Sequence, residues 1–134
     1  MRPILFIDRD GTIVSETNDG FVDQIEKLIF LPDVLYYLRK IQQESQFLLV
    51  LVSNQDGLGT KDHQESRFYP IHNLIMRSLT SQDIHFDSVH IDEHYESSNH
   101  ENRKPGIGML MTYLKGNYDT VSYTHLTLPT NREV

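Results

Sequence analysis

Two unbroken apolar runs, residues 4–7 (Ile-Leu-Phe-Ile) and 47–52 (Phe-Leu-Leu-Val-Leu-Val), each stop abruptly at a polar loop that contains glycine. Runs this short and this uniformly apolar read as strands covered on both faces, as in a parallel sheet. Elsewhere the apolar residues change to helical spacing. Val34, Leu35, Leu38 and Ile41 follow Pro32-Asp33, a suitable helix opening, and Ile71, Leu74, Ile75 and Leu79 lie in a helix expected from about Pro70 to Ser81. Ser88 to Ile91 reads as a third strand, and Ile107, Met109, Leu110, Met111 and Leu114 as a last helix ending near Gly116. Val14 to Ile25 is polar, a loop or small flap, and Lys27 to Leu31 a short extended piece. Strands alternating with helices predict an α/β fold with a doubly wound parallel sheet. Such sheets take ligands in the loops beyond the carboxyl ends of their strands, here the loops beginning at Asp8 and Ser53.

Composition narrows the class. A chain of 134 residues, 38% hydrophobic and 23% charged, suits one globular domain. No apolar run approaches the roughly 20 residues that cross a bilayer, and Met1-Arg2-Pro3 leads straight into the first strand, so neither a membrane span nor a signal peptide is expected. The absence of cysteine excludes disulfides and thiolate metal sites and fits a cytoplasmic location. A net charge of −7 argues against a nucleic-acid partner.

The first loop opens with Asp8-Arg9-Asp10-Gly11-Thr12. Side chains two apart on an extended backbone point the same way, so Asp8 and Asp10 face one spot and Arg9 turns aside. Two carboxylates that close repel each other, and they need a cation or a shared proton. Mg²⁺, with a phosphate as third party, meets that need. Asp8 is then a candidate nucleophile and Asp10 a candidate acid and base. Ser53 and the amides around Asn54 are placed to hold phosphoryl oxygens, and Lys104 to neutralise charge and keep Asp8 ionised.

The string Asp-x-Asp-Gly-Thr behind an apolar strand resembles the first motif of the haloacid-dehalogenase-like phosphotransferases. From about Pro3 to Thr120 the chain is similar to the histidinol-phosphate phosphatases, the N-terminal half of bifunctional histidine-biosynthesis enzymes. Phe6 to Ile13, Ser53-Asn54-Gln55-Asp56-Gly57-Leu58-Gly59-Thr60, His72-Asn73-Leu74 and Thr80-Ser81-Gln82 carry that resemblance. It implies a Rossmann-like core with a minimal cap and hydrolysis of histidinol phosphate through an aspartyl-phosphate. Asp8 would be the nucleophile, Asp10 the acid/base, Ser53 the second-motif hydroxyl and Lys104 the third-motif lysine. Asn54, Gln55 and Arg103 would lie near the phosphate or alcohol. Mg²⁺ would bind the Asp8 carboxylate and the Asp10 backbone carbonyl. In the full-length protein the domain is expected to be fused to a dehydratase.

Two departures matter. Many members and the related heptose-bisphosphate phosphatases have a cysteine-rich zinc loop before Arg-Lys-Pro. Its positions here are Asp92, His94, His100 and Asn102, so a solvated loop without zinc is expected. The remaining histidines, His63, His85 and His90, lack ligand spacing and read as surface or loop residues. The family's fourth motif, a strand followed by Gly-Asp and a further Asp, is due after Tyr118-Asp119-Thr120. Beyond Met111 the only acidic residues are Asp119 and Glu133, and neither follows a glycine. Residues 121–134 resemble an in-frame translation of transposon-adapter DNA. We therefore expect residues 1–120 to be a C-terminally incomplete phosphatase core and 121–134 a non-native tail. Such a chain should leave the Asp8 strand with an unpaired edge and show little or no turnover. Two alternatives remain: a sugar (heptose bisphosphate) phosphatase of the same superfamily, and a non-catalytic phosphate- or metal-binding module.

Overall fold

The structure, a computed structural model, describes residues 2–111, 113 and 119–122. Its elements are β1 (Pro3–Ile7), α1 (Val34–Glu44), β2 (Leu48–Asn54), α2 (Glu65–Ser81), β3 (Ser88–Asp92) and β4 (Asp119–Ser122). The four strands form one parallel sheet in the order β3-β2-β1-β4. The chain therefore builds outward from β1 to β3 and then returns to the far side of β1. That reversal puts the carboxyl end of β1, and with it Asp8, at the place where open α/β sheets bind ligands.

The apolar runs fill two cores because strand side chains alternate between faces. Leu5, Ile7, Leu49 and Leu51 pack with Val34 and Leu38 of α1 and Ile75 and Leu79 of α2. Ile4, Phe6, Val50 and Val52 point the other way, onto Met109, Leu110 and Tyr113. Both faces are covered, as uniformly apolar strands require.

Several boundaries differ from expectation. α1 starts at Val34, with Asp33 as its cap in the left-handed region at φ 60°. α2 starts at Glu65 rather than near Pro70, and Pro70 sits inside it. Proline interrupts a helix by withholding one N–H, here the donor to the Ser66 carbonyl, and burial of Phe68 and His72 on the same face as Ile75 and Leu79 holds the extra turn in place. The last predicted helix begins as a 3₁₀ turn at Gly108–Leu110; Ile107 is exposed rather than inward, and Leu114 lies outside the described residues.

The edge expected to stand open beside β1 is occupied. Pro3, Ile4 and Leu5 pair with Asp119, Thr120 and Ser122, with one irregularity between Ile4 and Leu5. Backbone pairing needs no particular side chain, so this segment covers the edge without a Gly-Asp motif. The boundary expected after residue 120 falls within β4, and residues 123–134 lie outside the described residues.

Candidate active site

The site is assembled where β1 and β2 end. Lys104 reaches in from the loop before the Gly108 turn and places Nζ 2.8 Å from Asp8 Oδ1. The same ammonium donates to the Val52 carbonyl oxygen at 2.9 Å. Asn54, the last residue of β2, clamps the Lys104 backbone in both directions. The Lys104 N–H donates to Asn54 Oδ1 at 3.1 Å, and Asn54 Nδ2 donates to the Lys104 carbonyl at 3.2 Å. Strand end and cation are thus locked together.

Asp10 is held on both oxygens. Arg9 Nε donates to Oδ1 at 2.6 Å and Gln55 Nε2 to Oδ2 at 3.0 Å. Arg9 does not simply turn aside, since it holds Asp10: it is fully buried, lies 4.9 Å over the Phe68 ring, and points Nη1 at His72 Nδ1, 3.1 Å away. Because a guanidinium only donates, His72 must accept at Nδ1. Burial, with the Arg9 charge as a lesser cause, pushes the His72 pKa down to about 4, which keeps the imidazole neutral. Past the end of β1 the backbone leaves the strand, the strict alternation lapses, and that is why Arg9 swings under the loop.

Gln55 and Ser53 are buried behind the cleft. Gln55 Nε2 also donates to Ser53 Oγ at 2.8 Å, and Gln55 Oε1 lies 3.0 Å from His63 Nε2. His63 is not a surface residue. It is fully buried, stacks on Phe21 at 4.3 Å, and burial lowers its pKa. His90 lies in β3, its Nε2 2.8 Å from the Tyr113 hydroxyl, whereas His85 is exposed as expected.

Arg103 lies behind the cleft. Its Nε and Nη2 form a fork on the two oxygens of Asp56, at 3.1 and 2.9 Å, and Nη1 donates to the Lys104 carbonyl at 2.9 Å. Of the zinc-loop positions, Asp92, His94 and His100 offer ligand atoms all within 4.8 Å of one another. His94 Nδ1 lies 2.7 Å from Asp92 Oδ1, the two imidazoles stack at 3.6 Å, and the Asn102 N–H donates to His100 Nδ1 at 3.1 Å.

Above Asp8 and Asp10 opens a cleft of about 500 Å³, walled by Asn54, Lys104 and a flap that contributes Glu16, Thr17, Asn18 and Asp19. The flap returns antiparallel on itself: the Ser15 N–H donates to the Ile29 carbonyl at 2.8 Å and the Leu31 N–H to the Ile13 carbonyl at 3.0 Å. Lys27 fastens it from behind, 2.7 Å from Asp19 and 2.9 Å from Asp23, and that ammonium holds the Asp19 carboxyl below the usual carboxylate range. The cleft's donors are oxygens of carboxylates and amides, the ligand chemistry Mg²⁺ prefers.

A family model described as polynucleotide kinase 3 phosphatase matches residues 3–127. The chain belongs to the polynucleotide kinase 3 phosphatase family. Among its relatives is the histidine biosynthesis bifunctional protein HisB of Spirosoma linguale, 44% identical over 120 residues, which cover 89% of this chain and 31% of that protein. The protein of the same description from Baumannia cicadellinicola is 46% identical over 117 residues, covering 87% and 33%. The chain thus spans about a third of the length of these relatives. Among solved structures, the D,D-heptose 1,7-bisphosphate phosphatase of B. bronchiseptica, complexed with magnesium and phosphate, superposes with a TM-score of 0.71 at 27% identity, covering 84% of this chain and 61% of that one. A Mesorhizobium loti protein described as a had-like phosphatase gives 0.71 at 25% identity, covering 83% and 55%. The polynucleotide kinase 3 phosphatase family member therefore has the haloacid-dehalogenase-like fold that its first motif led us to expect.

Proposed function

We propose that this chain carries the phosphatase core of a Mg²⁺-dependent histidinol-phosphate phosphatase, acting in the cytoplasm on a small phosphate ester and joined to a dehydratase in the full-length protein. The observation that carries the reading is the 2.8 Å contact of Lys104 Nζ with Asp8 Oδ1, on the floor of a cleft that Asp10 also lines. The identity to the HisB proteins, over 87–89% of this chain, supports the substrate.

In this reading an Asp8 oxygen attacks phosphorus and the bond from phosphorus to the alcohol oxygen breaks. Asp10 passes its proton to that oxygen, and the phosphoryl group remains on Asp8 as an acyl phosphate. Asp10 then takes a proton from water, whose oxygen attacks phosphorus and frees phosphate and Asp8. Lys104 balances charge on the phosphoryl oxygens, Asn54 positions it by clamping its backbone, and the Ser53 hydroxyl, the second-motif group in this reading, supports the phosphoryl site from behind. Gln55 and Arg103 are positioning residues, because their polar atoms are engaged with Asp10 and with Asp56 and the Lys104 carbonyl. Mg²⁺ would be held by the Asp8 carboxylate and the Asp10 backbone carbonyl and would supply charge neutralisation at the phosphoryl group. The Asp92–Asn102 loop is read as holding itself through its own hydrogen bonds, without zinc.

Residues 121–134 are read as non-native, and with no Gly-Asp after Thr120 we expect turnover far below that of a complete relative. The test is hydrolysis of histidinol phosphate with Mg²⁺ by this chain and by a version extended through the genomic sequence beyond codon 120. Activity restored by the extension supports the reading. An extended chain that hydrolyses heptose bisphosphate instead favours the reading suggested by the B. bronchiseptica neighbour. Finding the same tail in independent genomic DNA favours a non-catalytic binding module.

A further inference from the structure

The four carboxylates on the cleft wall are not equivalent. Asp8 is matched by Lys104 at 2.8 Å, Asp10 by Arg9 at 2.6 Å and Asp19 by Lys27 at 2.7 Å. The fourth, Glu16, has no hydrogen-bond or ion-pair partner for its carboxylate among the described residues. The side chain folds back across Gly11, where a β-carbon would stand 3.0 Å from Glu16 Cδ and 3.1 Å from Oε2. Gly11 has φ +87°, a conformation other residues rarely adopt. The glycine of the first motif thus leaves the space into which the carboxylate lies, directly over the loop that presents Asp8 and Asp10.

Glu16 is thus the one carboxylate of this wall with no cationic side chain paired to it among the described residues, and it lies on the face of the cleft open to a ligand. An ester whose phosphate rests against Lys104 at the floor occupies a cleft that Glu16 also lines. A positively charged nitrogen there meets attraction. A second phosphate there meets repulsion, and discrimination comes as much from the repelled ligand as from the favoured one.

We infer that Glu16 is the specificity-determining residue of this cleft, selecting phosphate monoesters whose alcohol part carries a positively charged nitrogen and disfavouring bisphosphates. The inference rests on the phosphatase reading above and deepens it. Glu16 is solvent-exposed, so the preference is modest, about two- to fivefold at low ionic strength, and shrinks as salt is added.

Calorimetric titration of the version extended beyond codon 120, with Mg²⁺ present, tests this on a matched pair of probes, phosphoethanolamine and ethyl phosphate, with inorganic phosphate as the control. The expected result is tighter binding of phosphoethanolamine than of ethyl phosphate. In Glu16→Gln the two affinities converge, and Glu16→Asp keeps part of the difference. Equal affinities in the unmodified chain overturn the inference, as does a preference that survives Glu16→Gln. It is also overturned if Glu16→Gln weakens both esters and Mg²⁺ alike, which would make Glu16 part of the metal or phosphate site. Inorganic phosphate separates the two levels: its binding alongside equal ester affinities sinks the Glu16 assignment alone, whereas failure of all three probes to bind sinks the phosphatase reading and the inference together.

Discussion

Arg9 and His72 meet 3.1 Å apart behind Asp10, a fully buried cation facing an imidazole that must stay neutral to accept it. The pair comes from opposite ends of the site, Arg9 from the loop after β1 and His72 from the middle of α2. It makes the orientation of Asp10 depend on the packing of a helix.

Removing the cation should be costly. Arg9→Met leaves Asp10 without its 2.6 Å partner and His72 without a donor. Breaking a buried pair by deleting one member costs about 3–5 kcal/mol, and because one edge of Asp10 reaches solvent we expect about 2–4. Urea unfolding measures it, and a loss below about 1 kcal/mol would mean that the pair is not buried in solution.

The neutral His72 predicts a pH dependence with a definite sign. Its folded pKa, about 4, lies below the ordinary value of 6.5, so the unfolded chain binds the proton more readily. The stabilisation is fully present above pH 6.5 and is lost as pH falls from 6.5 through about 4, in total roughly 3 kcal/mol. Carboxylates titrate over part of this window, so the quantity to measure is the difference between the unmodified chain and His72→Gln. That difference should shrink steadily on acidification; if it stays flat, His72 carries its proton in the folded state.

The nucleophile can be tested without steady-state turnover. Incubation with a phosphorus-32-labelled ester and Mg²⁺, followed by acid quenching, should leave label on the peptide containing Asp8 and none in Asp8→Asn. Lys104→Met should lower the labelling rate by about 10²–10³ through loss of the charge that balances the phosphoryl oxygens. Label on any other residue removes Asp8 from its role.

Gly57 lies at φ +76°, and a β-carbon there would run into the hydroxyl of Tyr95. Gly57→Ala should therefore destabilise by about 1–3 kcal/mol. Adding Tyr95→Ala should relieve the clash and leave only the backbone strain, about 1 kcal/mol. Equal losses in the single and double variants would show that Tyr95 does not pack there.

Chelation addresses the Asp92–His94–His100 group. With the loop held by its own hydrogen bonds, EDTA should leave the melting temperature unchanged once Mg²⁺ is matched between samples. A chelator-dependent fall that zinc reverses would establish a bound transition metal.

The sheet and the floor of the site were legible in the sequence because they rest on short-range rules. Apolar runs must be buried on both faces, and Asp8, Asp10 and Asn54 follow from strand ends. Lys104 was found through a motif. The second layer was not legible. Nothing in the spacing around Arg9 says that it leaves the strand alternation and turns inward, and His63 has no local pattern to distinguish it from a loop histidine. Arg9 is fixed by Phe68 and His72 and His63 by Phe21, partners 42 to 63 positions away along the chain. Glu16 was passed over for a similar reason: the flap read as a polar loop, and only the fold turns it over Asp8.

β1 is an interior strand. Its neighbours are residues 48–51 on one side and Asp119–Ser122 on the other. During synthesis, then, β1 leaves the ribosome before either of its neighbours and is completed only when β4 arrives. The strand that leads into Asp8 waits with one flank bare until more than a hundred further residues have followed it, a long-range closure of the kind that slows folding. Pro3–Ile7, apolar on both faces, is the stretch most open to mispairing in that interval.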